Sequence, residues 1–139
     1  MKAKPFIVGF FAVVALLGAA SVYLAVTVEP AQKYFTAFPA PDNKYKAVKI
    51  TLTRAGAPPF CADGIAVILG VYPDDFAERD KAYLVYAAPC AADRALPKIE
   101  WLSNSALQIS YTKNPAAKQP TLKSTDVTKT VQVMFVVRE

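Results

Sequence analysis

The chain has 139 residues, room for one domain of about 100 residues beside a targeting segment and not for a second. It is 54% hydrophobic, and its formal charge of +5 is spread without a dense basic block, which argues against a nucleic-acid partner. Histidine is absent, which removes the commonest general base near neutral pH and the commonest metal ligand, so neither an enzyme nor a bound cofactor is expected.

After Lys2 and Lys4, the run from Phe6 to Val28 holds no charged residue in 23 positions. As a helix rising ~1.5 Å per residue it would reach ~35 Å, enough to cross a hydrocarbon core of ~30 Å. A cleaved signal peptide ending at "GAAS", Gly18 to Ser21, is the alternative, but the apolar run continues to Val28 and favours a retained anchor over residues 1–29. Both lysines precede the span, so the positive-inside rule puts the N-terminus in the cytoplasm and the rest of the chain outside. Residues 30–43, "PAQKYFTAFPAPDN", carry three prolines and predict an extended linker. In it, Tyr34, Phe35 and Phe38 suit either a membrane interface or the start of a core.

The outer domain is expected over residues 44–139. In "YKAVKITLTR", Val48, Ile50 and Leu52 alternate with Lys49, Thr51 and Thr53, the period of a strand with one buried face. "IAVILGVY" at 65–72 is apolar throughout and β-branched, as in a central strand. "PDDFAERD" at 73–80 is a polar connection in which Asp75 and Glu78 have capping-box spacing over one helical turn. "AYLVYAA" at 82–88 predicts a strand pairing back on 65–72. "KIEWLSNSALQISYT" at 98–112 reads as a hairpin turning at "SNS". The polar stretch 113–129, with Lys113, Lys118, Lys123 and Lys129, is long for a connection and therefore mobile or functional. "TVQVMFVV" at 130–137 alternates again and closes the sheet. Six strands without a long soluble helix predict a mainly β fold, a small antiparallel sheet or sandwich behind one transmembrane helix.

Cys61 lies too far beyond the apolar run to carry a lipid, and no histidine is present to activate its thiolate. Outside the cytoplasm, two cysteines flanking paired strands point to a disulfide, Cys61 to Cys90, at one end of that hairpin. Asp74, Asp75, Glu78 and Asp80 form the acidic cluster. Without a DxDxDG pattern they read as a solvated loop, with a cation site at Asp74, Asp75 and Glu78 as the alternative. Asp63 and Gly64 read as a turn. Trp101 and Tyr111 either fill the core or line a ligand groove.

"PDNKYKAV" at 41–48, "AGA" at 55–57, "VIL" at 67–69 and "PKIEWLSNSALQISY" at 97–111 together resemble a family of small bacterial membrane-anchored or lipoprotein domains of unknown function. The resemblance covers about half of the chain, and Cys61 departs from it by following Gly56 rather than preceding it. It implies a single-pass protein of the bacterial inner membrane with a periplasmic β domain, and it implies no activity. The combined expectation is a non-catalytic accessory or interaction subunit. It is held in the membrane by residues 6–28, and Lys113, Lys118, Lys123, Lys129, Trp101 and Tyr111 form the surface for a protein partner in the envelope. The alternative is a module binding a small or polymeric, anionic envelope ligand on the same residues.

Overall fold

Alternation with a period of two builds the first sheet directly from the sequence. The computed structural model describes residues 9–19, 30–56, 60–90, 96–113, 115 and 117–138. Among them the strands are β1 (Gln32–Pro39), β2 (Tyr45–Arg54), β3 (Phe60–Leu69), β4 (Leu84–Pro89), β5 (Lys98–Ser103), β6 (Ala106–Thr112), β7 (Thr121–Leu122) and β8 (Gln132–Arg138). One sheet has the order β1-β2-β3-β4-β7, the other β5-β6-β8. In the larger sheet every pairing is antiparallel, and Ile65 against Tyr86 confirms the expected hairpin between β3 and β4.

The core lies between the two sheets. Tyr45, Ala47, Ile65, Val67, Val85 and Tyr86 from the larger sheet meet Leu107, Ile109, Tyr111, Val131 and Val133 from the side of the smaller one. Each fully buried aliphatic side chain here, such as Ile65, Leu107 or Ile109, contributes about 1.5–3 kcal/mol relative to exposure. A second cluster, Val48, Ile50, Ala66, Ile68 and Ala77, occupies the opposite face of the larger sheet. It is capped by two short 3-10 helices, Asp74–Glu78 and Lys81–Tyr83, on which Phe76 stacks with Tyr72 at 4.2 Å between ring centroids. The connection at 73–80 is thus a lid on a small core. No side chain caps its first helix, so the capping box expected from Asp75 and Glu78 does not form.

Three further expectations are corrected. The stretch expected as a linker forms β1, whose Phe38 packs on the inter-sheet core and Phe35 on the second cluster, while Tyr34 stays exposed. Asp63 and Gly64 lie within β3, which starts at Phe60 and ends at Leu69, so they form no turn. The chain turns instead at Gly70, whose N–H donates to the Lys44 carbonyl at 2.9 Å. A Cβ on Gly70 would sit 2.1 Å from the Asn43 carbonyl oxygen, so only glycine fits against the β1–β2 turn. Finally, β8 pairs with β6 in parallel, Leu107 opposite Val133 and Ile109 opposite Phe135. The sheet is therefore mixed, because 113–131 crosses to the larger sheet and back and so returns the chain in the same direction.

A helix covers residues 9–19 and would extend about 16 Å, half of a hydrocarbon core. Among the described residues no helix is long and apolar enough to cross a membrane. The rest of the run from Phe6 to Val28 lies outside the described residues.

Candidate functional site

The two cysteines are joined. Cys61 on β3 and Cys90 just beyond β4 form a disulfide with Cα atoms 5.4 Å apart, and the Cys90 N–H donates to the Cys61 carbonyl. The pairing follows from register: Ala62 lies opposite Pro89, which sets the next pair of positions outward side by side.

Directly inside that end of the sandwich, Asp63, Tyr86, Tyr111, Lys113 and Lys118 line a crevice of ≈ 30 Å³, room for a water molecule rather than a substrate. Asp63 is buried and accepts a hydrogen bond from the Thr51 hydroxyl at 2.9 Å. Burial, helped by the Asp63 carboxylate and Tyr111, pushes the Tyr86 phenol above its ordinary pKa, against the pull of Arg138. Tyr111 is a core residue, 5.6 Å from the Tyr86 ring and 6.4 Å from that of Phe135. Trp101 packs, half-buried, against the same core, and its indole N–H is committed to the Phe38 carbonyl at 2.7 Å, tying β5 to β1.

The four lysines divide. Lys113 and Lys118 stand over the crevice, whereas Lys123 and Lys129 flank the separate turn around Asp126. That turn is the organising element sequence reasoning missed. The buried Asp126 carboxylate accepts from the backbone N–H groups of Thr128, Thr130 and Val131, at 3.2, 2.9 and 2.8 Å, and from the Thr128 hydroxyl. Lys129 takes a left-handed conformation, φ 59°, inside it. The signal was present in "TDVTKT", an aspartate followed at two and four residues by threonines, the composition of an Asx-type turn. With β7 paired to β4, this turn fastens the 113–129 stretch to both sheets.

The acidic cluster is not brought together. Asp74 is ion-paired with Lys46 at 2.7 Å, Glu78 with Lys33 at 2.7 Å, and Asp80 caps the second 3-10 helix through the Ala82 N–H. Among the described residues no three acidic, cysteine or histidine side chains converge as metal ligands, so the candidate cation site of Asp74, Asp75 and Glu78 has no geometry to stand on. Beside that helix, an apolar groove of ≈ 270 Å³ runs over Ile50, Leu52, Gly64 and Leu84.

Comparison of the chain with protein-family models, with curated proteins and with solved structures finds no match. The site must therefore be argued from geometry, and the feature that geometry leaves unsatisfied is the edge of β8. Among the described residues this strand ends the order β5-β6-β8, so one side of its backbone has no strand beside it. The Gln132 N–H points to β6, donating to the Ser105 carbonyl, and the Val133 N–H points outward and is met by the Ser124 carbonyl at 2.8 Å. Alternation turns the backbone N–H and C=O groups of Phe135 and Val137 outward as well, away from β6. Met134, Val136 and Val137 are exposed, and from Gln132 to Val137 there is no charge and no proline.

Proposed function

We propose that the chain is a non-catalytic, membrane-tethered extracytoplasmic protein, an interaction subunit of a cell-envelope or membrane complex, and that it meets its partner through the edge of β8. The edge, uncharged and open among the described residues, carries this reading. Natural sheets blunt such edges with lysine, proline or a bulge, and β8 uses none of these between Gln132 and Val137. An edge left in that state is suited to strand addition by another chain, with main-chain hydrogen bonds for affinity and Met134 and Val136 for contact.

Two further features support the compartment and the lack of chemistry. The uncharged run from Phe6 to Val28 suits an anchor, and the disulfide suits an oxidising space outside the cytoplasm. The carboxylates of Asp63, Asp74, Glu78, Asp80 and Asp126 are each engaged in a structural hydrogen bond or ion pair. The ligand-module alternative finds less support, because Trp101 and Tyr111 are engaged in the core and the crevice under Lys113 and Lys118 is water-sized.

The test is site-specific photo-crosslinking of the full chain in native membranes, with the probe at Val136 and, as control, at the exposed Val71. A protein adduct is expected from Val136 and not from Val71, on a chain whose β domain is cleaved by protease added to intact spheroplasts. Equal yields at both positions would remove the β8 reading, and protection from protease would remove the topology.

A further inference from the structure

The two 3-10 helices cover only part of the outer face of the larger sheet. Where they end, Ile50 and Leu52 on β2, Ala62 and Gly64 on β3, and Leu84 and Ala87 on β4 floor the apolar groove of ≈ 270 Å³. The groove exists because Ala62, Gly64 and Ala87 are small. At Gly64 even a Cβ would come within 3.2 Å of the Leu84 side chain, so a larger residue there would fill the floor. The groove runs across the strands, and at ~4.8 Å per strand its floor spans about 10 Å from β2 to β4. It continues into a second depression of ≈ 350 Å³, which shares Lys81, Leu84 and Ala87 with it and adds Thr121 and Lys123 beside β7. The two ends differ in charge. Toward β1, Lys33 and Glu78 close on each other at 2.7 Å. Toward β7, the exposed Lys81 and Lys123 have no partner for their ammonium groups among the described residues. The other carboxylates bordering the groove are engaged, Asp63 by the Thr51 hydroxyl and Asp80 by the Ala82 N–H.

We propose that this groove binds a fatty acid, its alkyl chain lying across β2 to β4 and its carboxylate between Lys81 and Lys123. β2 and β3 are hydrogen-bonded to a strand on both sides, so their backbone offers nothing to a ligand. A peptide laid on this floor would bury amide groups without partners, whereas an alkyl chain has none to satisfy. One trough holds one chain, which selects a fatty acid over a two-chain phospholipid whose second chain would stay in water. The two uncompensated ammonium groups at one end set the direction, because a carboxylate placed there gains charge-assisted hydrogen bonds. The groove lies on the face of the larger sheet turned away from the inter-sheet core, so the proposal does not rest on the β8 edge.

Photo-crosslinking of the full chain in native membranes with a diazirine-bearing fatty acid tests it. Adducts mapped to the residue are expected at Leu52, Leu84 or Ala87 and not at the exposed Val71. Ala87→Phe fills the groove and is expected to lower labelling at Leu52 and Leu84 by about fivefold or more. Lys81→Gln combined with Lys123→Gln removes the two cations and is expected to lower it by about tenfold. The diazirine fatty alcohol of the same length should label the wild type as weakly as the acid labels that double variant. An unchanged melting temperature and retention of the Cys61–Cys90 disulfide verify the fold of each variant. Equal labelling of the wild type and Ala87→Phe would overturn the groove as the site. Equal labelling by acid and alcohol would overturn the anionic head. Labelling of the groove by a diazirine phosphatidylglycerol and not by the fatty acid would overturn the single-chain ligand, and no groove adduct from any of these probes would overturn the proposal entirely.

Discussion

Asp126 accepts more hydrogen bonds than any other carboxylate described in this fold. It faces three backbone N–H groups that no strand satisfies, and it fixes the approach of Val131 into the core. Asp126→Ala leaves those donors without an acceptor, one of them on a fully buried residue. The expected loss is about 2–4 kcal/mol, since hydrogen bonds to a charged acceptor are worth more than neutral ones. Urea unfolding of the purified chain, followed through the emission of Trp101, the sole tryptophan, would measure it. At this scale the sequence was a partial guide. The cysteine pair was legible because compartment, count and strand order all agreed. The role of Asp126 was not, because a short polar run of Ser, Thr, Asp and Lys looks the same whether its carboxylate faces water or folds back on its own backbone.

Elements were readable where one face of a strand is buried. β2, the β3–β4 pair and the β5–β6 hairpin follow from alternation and turn chemistry, and the structure places the hairpin turn at Asn104 and Ser105. β1 was hidden by its flanking prolines, although Pro39 ends the strand rather than interrupting it. β7 is two residues long and has no periodicity to read. The parallel direction of β8 depends on where 113–131 crosses, a long-range fact that no local pattern encodes. The staple between β3 and the end of β4 closes the loop holding both 3-10 helices. Replacing Cys61 and Cys90 together by serine is expected to cost about 3–4 kcal/mol in the chain-entropy account, by the length of that loop. Thermal unfolding of the double variant beside the untreated and the reduced wild type would check it, the reduced protein and the variant melting together.

For the molecule as a whole, the joint between the two sheets is pH-sensitive at its phenols. Tyr86 on β4 meets Tyr111 on β6, with Asp63 and Arg138 as its charged neighbours, and its pKa is raised in the folded state, chiefly by burial. The unfolded chain therefore loses this proton first as pH rises. Stability from Tyr86 is complete below pH 10, the unfolded value, and is lost as pH climbs through the folded one. Tyr45 works in the opposite sense, because side-chain hydrogen bonds with Thr128 and Thr130 lower its pKa. The two are separated by comparison with Tyr86→Phe. The difference in melting temperature between wild type and this variant should be constant from pH 7 to 9 and should shift against the wild type above pH 10. The proposed interaction edge, by contrast, was invisible before the topology was known, since "QVMFVV" reads equally as an interior strand.

The parallel union of β6 and β8 also dictates an order of events. β1 to β4 pair with their sequence neighbours, so loop closure there is cheap and the larger sheet can nucleate early. β8 can dock only after the chain has crossed to β4, laid down β7 and turned at Asp126. Until then Leu107 and Ile109 have no β8 neighbour, and the folding chain passes through a half-built state with a vacant strand position beside β6. A chaperone that recognises extended apolar segments would find its substrate in that interval, and the native protein would close the opening with its own β8.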